Sequence, residues 1–323
     1  MTKLKIENLS VDIKNKNQKH KALDDINIEI ESEKITALVG ESGCGKSLLS
    51  LSIMGLLPEA ASIAAGSIVF DNINLLQLRE KEMDSIRGNK ISMIFQEPMT
   101  ALNPLMKVGE QIEEALLTHK KTPRKEVKEQ VLDIMNRVGL SRVKQLYNDF
   151  PHQLSGGMKQ RIVIAMALIN KPELIIADEP TTALDVTIQY QILEMLRKLN
   201  QEMGSTLLLI SHDLGVVNEL CSNIAVMYAG KIVEEGSSES ILKTPKHPYT
   251  QGLIKSVPRF SQKNQKLYSI PGMLAPLNKR TSQGCAFAKR CPDTLKECYI
   301  KSPDLREIDG RKVSCLRVGG DNE

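Results

Sequence analysis

The chain has 323 residues, 41% hydrophobic and 25% charged, a balance that fits a globular protein of one large domain or two modest ones. Its net charge of +4 is too small by itself to point to nucleic acid. No apolar run approaches the roughly 18 residues of a membrane span, and the start, "MTKLKIENLSVDIKNKN", lacks the apolar core of an export signal. A cytosolic protein without structural disulfides is therefore expected.

Residues 1–34 alternate in short segments such as "KLKIENLSVDI" and "INIEIE", which predicts antiparallel strands at one edge. "ITALV" at 35–39 reads as a buried strand, and Lys46 opens a helix with apolar Leu48, Leu49, Ile53 and Leu56. Between them, "GESGCGKS" at 40–47 fits the phosphate-binding pattern G-x-x-x-x-G-K-[ST]. Glycines let successive backbone N–H groups turn toward phosphate, and the helix N-terminus adds partial positive charge. Gly40, Ser42, Gly43, Cys44, Gly45, Lys46, Ser47 and Leu48 are thus candidate ATP-binding residues. Lys46 would reach the terminal phosphates and Ser47 would offer its hydroxyl to Mg²⁺. Cys44 reads as a small filler, although Lys46 and the helix start would favour an acidic thiol.

Further parallel strands are predicted near Ile91, Leu174 and Leu207, alternating with helices, which predicts a three-layer α/β core. Residues 97 to about 153 read as mostly helical and interrupt that core. The basic run "HKKTPRKEVK" at 119–128 reads as the solvated face of a helix. "PELIIADEP" ends an apolar strand in Asp178 and Glu179: the first can hold the metal, and the second can activate an attacking water. Gln96 and His212 each follow an apolar strand, in "MIFQEP" and "LLLISHD", and "LSGGMKQR" at 154–161 forms a second glycine-rich helix start.

This set, in this order, resembles the ATP-binding cassette of ABC proteins over about residues 1–250. The resemblance implies a P-loop α/β fold: a RecA-like core, an antiparallel β edge and a helical subdomain at about 97–165 that grips a membrane subunit. It implies that Gln96 contacts Mg²⁺ or the attacking water, that His212 stabilises the γ-phosphate, and that Asp185 reaches across a dimer interface. Ser155 and Gly157 would bind the nucleotide held by another cassette. One motif set occurs here, so the second cassette would come from another chain, expected to be a different subunit. The signature departs from many cassettes at Met158, where glutamine is common, with little loss expected. The first strand carries no aromatic for stacking on adenine: Ile13 stands at about that place, with His20 a weaker candidate, and loose holding of the base would follow.

Past about Pro245, prolines and loops replace periodic segments, which reads as an appended region with little core of its own, 251–323. "HPYTQGLI", "IPG" and "GCAFAKRCPD" resemble the ATPase subunits of oligopeptide and dipeptide permeases, with nickel and opine permeases close by. That resemblance implies an ATP-driven importer of peptides or a related solute. It would lie at the cytoplasmic face of the membrane, with two permease subunits and an extracellular solute-binding protein. A cassette ATPase acting on nucleic acid is the alternative of a different class, and an exporter cassette a further one. Cys285, Cys291, Cys298 and Cys315 lack the close pairs of zinc ribbons. Their spacing leaves an iron–sulfur cluster, zinc and free thiols open, and the resemblance implies a [4Fe–4S] cluster. Cys221 reads as a core residue.

Overall fold

Alternating apolar residues, shifted by one position across a bulge in the first strand, are buried on one face of the first two strands: Leu4, Ile6, Leu9 and Val11 along β1 (Thr2–Asn15), and Ile26, Ile28 and Ile30 along β2 (Gln18–Glu31). The computed structural model describes residues 1–15, 18–96, 98–182, 184–257, 268–280 and 283–318. It divides into two units, one of Thr2–Ile30, Thr36–Leu76 and Ser211–Glu323, the other of Met1, Glu31–Ile35 and Gln77–Ile210. The polar stretch "FSQKNQK" at 260–266 lies outside the described residues.

In the first unit, β1 pairs antiparallel with β4 (Ala61–Phe70), from Leu4 opposite Phe70 to Ile13 opposite Ala61, with a bulge between Glu7 and Val11. With β2 and the short β5 (Ile73–Asn74) they form a four-stranded sheet of order β2-β1-β4-β5. These strands are long, and they make a sheet of their own instead of edging the parallel one. The five buried residues of β3 (Ile35–Val39) run parallel to β9 (Asn223–Tyr228), the continuous apolar pattern of a strand covered on both faces. After β3 the chain enters α1 (Lys46–Met54). A turn at Ala229 and Gly230 returns β9 antiparallel into β10 (Lys231–Ser237), after α9 (Leu214–Leu220) and before α10 (Ser238–Lys243) and α11 (Pro248–Lys255).

The C-terminal segment is not a loosely appended tail. Its hairpin, β11 (Arg306–Ile308) and β12 (Arg311–Val313), continues the sheet through antiparallel pairing of β12 with β10. Phe287, 2% exposed, sits 5.2 Å from the Tyr228 ring, 5.4 Å from Tyr249 and 5.9 Å from His247. Arg311 Nη1 donates to the carbonyls of Ser240 and Thr244 at 2.8 and 2.6 Å, and its guanidinium lies 3.6 Å from the fully buried Glu234. Few periodic segments marked this region in the sequence, because its packing rests on single side chains that meet distant elements.

In the second unit, β6 (Ile91–Ile94), β7 (Leu174–Asp178) and β8 (Thr206–Ser211) lie side by side and parallel. After the short α2 (Glu80–Ile86), α3 (Pro98–Ala101), α4 (Val108–Leu117), α5 (Arg124–Arg137) and α6 (Val143–Leu146) follow β6, and α7 (Gly156–Leu168) leads to β7. Helices α4, α5 and α7 pack on one another. Helix α5 starts at Arg124, so the basic run is half loop and half helix. Val127, Val131, Ile134 and Met135 give α5 one apolar stripe, and Lys128 lies over the Tyr147 ring at 4.8 Å. Buried Gln111 fixes the loop ahead of α4: its Oε1 accepts from Asn103 N–H, and its Nε2 donates to the carbonyls of Asn103 and Met106. Helix α8 (Val186–Met203) joins β7 to β8.

Candidate functional site

The strand–loop–helix expected around residues 40–47 is present, and its first glycine shows why the pattern needs one. A Cβ on Gly40 would stand 2.2 Å from the Met227 carbonyl oxygen, so the loop leaves β3 with its backbone pressed against β9. Gly43 is in the left-handed region, at φ +76°. Lys46 is 5% exposed, and its Nζ donates to the Gly40 carbonyl at 2.8 Å and the Glu41 carbonyl at 3.2 Å, folding the ammonium into the loop's curl. Ser42, Gly43 and Ser47 are exposed, Leu48 is half-buried, and the loop runs directly into the N-terminus of α1.

Cys44 is fully buried, and burial raises its thiol pKa against the smaller opposing pull of Lys46. Its carbonyl accepts from Gly230 N–H at 2.7 Å, which ties the loop to the β9–β10 turn. The packing matches the filler reading and works against a reactive thiolate. Cys221 is a core residue, its pKa pushed up to about 12 by burial. Ile13 is half-buried on β1 and His20 half-buried on β2; neither supplies an aromatic face on the first strand.

Sequence reasoning overlooked what surrounds this loop. Glu41 N–H donates to Tyr249 Oη at 2.9 Å, Arg280 Nη2 donates to the Gly43 carbonyl at 2.8 Å, and Arg290 pairs with the Glu41 carboxylate at 2.7 and 2.9 Å. The only available signal was a carboxylate at a variable position of the phosphate loop. A partner nearly 250 residues away has no local signature.

Asp178, Glu179 and Gln96 meet in the second unit. Asp178 ends β7, 4% exposed, and Glu179 follows it with φ +46°, a backbone conformation that is costly for a residue with a side chain and that recurs at functional sites. Glu179 N–H donates to the Ile210 carbonyl at 3.0 Å, which fixes the turn to the end of β8. Its carboxylate Oε2 accepts from Gln96 Nε2 at 3.2 Å and from Thr182 Oγ1 at 3.1 Å. Gln96, just past β6, thus meets the carboxylate just past β7, as neighbouring parallel strands require of residues at their C-terminal ends. Thr182 was not foreseen.

Ser155 is the N-cap of α7, its Oγ accepting from Met158 N–H at 3.3 Å, and Gly156 and Gly157 form the first turn. A Cβ on Gly157 would stand 3.1 Å from Ile188 Cγ2. Asp185 caps α8 by accepting from Ile188 N–H at 3.0 Å. In the first unit, His212 is exposed, one residue past β8.

The four C-terminal cysteines form no disulfide. Cys285 N–H donates to the Cys298 carbonyl at 2.7 Å, and the other three thiols all help raise the Cys285 pKa, itself pushed up to about 11 mainly by burial. Cys285 and Cys298 are therefore close neighbours. Among the described residues, however, no group of three or more His, Cys, Asp or Glu side chains is gathered so as to hold a metal ion. The expected four-cysteine ligand set for a [4Fe–4S] cluster is thus not found gathered among the described residues.

A phosphate loop after one parallel strand, a carboxylate pair after another and a serine-glycine helix start are the parts of an ATP-hydrolysing cassette. A family model described as "ABC transporter" matches residues 23–182, and one described as "Oligopeptide/dipeptide transporter, C-terminal region" matches residues 233–298. The chain is 44% identical over 317 residues to the oligopeptide transport ATP-binding protein AppD of Bacillus subtilis, covering 98% of this chain and 96% of the relative. It is 48% identical over 314 residues to the dipeptide transport ATP-binding protein DppD of the same organism, covering 97% and 93%. Among solved structures, the dimeric ATP-binding cassette MJ0796 bound to ADP and Pi aligns with TM-score 0.66 at 31% identity, over 73% of this chain and 98% of that one. The chain belongs to the ABC transporter family, in its branch of oligopeptide and dipeptide transport ATP-binding proteins.

Proposed function

We propose that this chain is the ATP-hydrolysing subunit of an ABC importer of di- or oligopeptides. The observation that carries the reading is that relatives named for peptide transport align over nearly its whole length, the C-terminal region included. Nickel and opine uptake, and action on nucleic acid, find no such support. No helix among the described residues is long and apolar enough to cross a membrane, so the transport path belongs to partner subunits. Two permease subunits, a second cassette from a different chain and an external solute-binding protein complete the assembly. The chain sits peripherally at the cytoplasmic face.

The loop 40–47 cradles the triphosphate, with Lys46 on the β- and γ-phosphates; Ser47, Asp178 and Gln96 are the residues that would hold Mg²⁺, which would offset the phosphate charge. The buried Asp178 beside the orienting pair Gln96–Glu179 suits that ion, whose charge the loop cannot supply alone. Glu179 accepts a proton from the attacking water, held in line by Gln96 and Thr182, while His212 donates to the γ-phosphate. Ser155 and Gly157 close on the nucleotide of the opposing cassette, and Asp185 reaches across the dimer, so turnover needs a pair. The helical segment 97–165, within an ATPase domain of residues 1–250, passes closure to the permease.

Cys285, Cys291, Cys298 and Cys315 are the residues that would hold a [4Fe–4S] cluster. What supports this reading is the match of the C-terminal region to that of oligopeptide and dipeptide transporters; the side-chain arrangement adds no support of its own. Such a group would supply cross-linking of the loops in the C-terminal region 251–323 and one-electron chemistry.

The test is ATP-dependent uptake of a radiolabelled dipeptide and of a pentapeptide into inside-facing-correct vesicles carrying the whole assembly. Glu179→Gln in this chain should abolish uptake while leaving the assembly intact. Unchanged uptake, or uptake of neither peptide by the unaltered assembly, contradicts the reading.

A further inference from the structure

A carboxylate inside a loop built to receive a polyanion is an electrostatic oddity, and Glu41 is one, directly after Gly40. Arg290 answers it. Its Nη1 and Nη2 donate to the two Glu41 carboxylate oxygens at 2.7 and 2.9 Å, a parallel fork. The remaining donors reach Tyr228 Oη at 3.3 Å, the Gly272 carbonyl at 3.3 Å and, from Nε, the Pro271 carbonyl at 2.9 Å. All N–H groups of the guanidinium are thereby engaged. The side chain is 9% exposed and lies over the Tyr228 ring at 5.7 Å.

Two more contacts come from the same part of the chain. Tyr249 Oη accepts from Glu41 N–H, and Arg280 Nη2, anchored by its Nε on the Ala275 carbonyl at 3.1 Å, donates to the Gly43 carbonyl. Residues 41 and 43 are thus held on both sides of Ser42, from outside the sequence motif. A surface ion pair contributes little, but this pair is forked, largely buried and fully hydrogen-bonded. Removing its arginine leaves Glu41 charged, unpartnered and beside the phosphates.

We infer that Arg290 is a positioning residue of the nucleotide site: by neutralising and orienting Glu41, the C-terminal segment holds the phosphate loop in the shape that accepts a triphosphate. This rests on the reading of residues 40–47 as the phosphate site. It makes the cysteine-bearing segment, in which Arg290 directly precedes Cys291, a working part of ATP binding and not only an attachment.

The test is equilibrium binding of MgATP to the full chain, with turnover at saturating ATP measured beside it in the assembled transporter. Arg290→Gln should raise the Kd at least about tenfold, the size of a lost charged hydrogen-bond pair, and change saturated turnover far less. Arg290→Lys, which keeps the charge but not the fork, should fall between. The double variant Glu41→Gln/Arg290→Gln removes the stranded charge and should bind more tightly than Arg290→Gln alone; it also serves if the single variant does not fold. A Kd for Arg290→Gln within about twofold of the unaltered chain overturns the inference, as does a double variant no better than the single one. Lys46→Ala separates the two levels. If it abolishes binding while Arg290→Gln does not weaken it, the loop reading stands and the positioning role falls; if it too binds normally, the loop reading itself fails.

Discussion

Phe287→Ala tests whether the C-terminal segment is packed into the first unit as firmly as its contacts indicate. The ring is 2% exposed and meets Tyr228 edge-on at 5.2 Å, with Tyr249 at 5.4 Å. Truncating a fully buried phenylalanine costs about 3–5 kcal/mol, through lost transfer energy and the cavity left behind, and lost aromatic pairs add about 0.5–1.5 kcal/mol each. Partial collapse of neighbouring loops offsets some of this, so a destabilisation of about 3 kcal/mol is expected. The chain has no tryptophan and 6 tyrosines, so tyrosine emission during urea unfolding reports on the cluster directly. Phe287→Leu, which keeps most of the volume, should lose about 1.5 kcal/mol or less. A loss under about 1 kcal/mol for the alanine variant would refute the reasoning and return the segment to a loosely attached tail.

His247 gives a pH prediction. It is 2% exposed, its Nδ1 accepts from Tyr249 N–H at 3.0 Å, and burial pushes its pKa down from 6.5 to about 3. The unfolded chain therefore binds a proton between about pH 6.5 and 3 that the folded chain refuses. Its contribution is fully present above pH 6.5 and is lost as pH falls, with a slope approaching about 1.4 kcal/mol per unit. Stability measured by urea unfolding from pH 7.5 to 4.5 should flatten in His247→Asn, whose oxygen can still accept the N–H; an equal slope in both contradicts this. With Ile13 where an aromatic would stack, GTP should bind within about tenfold of ATP, and a wider gap in competition binding counts against loose base holding. Anaerobically purified protein should carry about four irons and four acid-labile sulfides per chain by colorimetric assay, and Cys291→Ser should lower both. Zinc or no metal in the unaltered chain would remove the cluster.

The parts of the site legible in the sequence are those made by short contiguous runs. The phosphate loop needs glycines because β9 leaves no room for a Cβ at Gly40, and that constraint is written locally. The strand ending in Asp178 and Glu179 announces itself by hydrophobicity followed by charge. The same local reading placed the N-terminal strands at an edge, since alternation gives a strand's face but not its sheet. It also judged the C-terminal segment by its prolines, whereas the packing there rests on single side chains meeting distant elements: Phe287 on Tyr228 and Tyr249, Arg311 on Glu234, Arg290 on Glu41. Thr182 escaped notice because a threonine in a turn is unremarkable until its hydroxyl is found 3.1 Å from the Glu179 carboxylate.

The central claim is that Glu179, held by Gln96 and Thr182, drives ATP hydrolysis. The most direct measurement pairs MgATP binding with steady-state phosphate release for the unaltered chain and Glu179→Gln, each in the assembled transporter. The account predicts unchanged affinity and turnover lowered at least about 100-fold, the scale of a general base. Turnover near that of the unaltered chain, with binding intact, would contradict it.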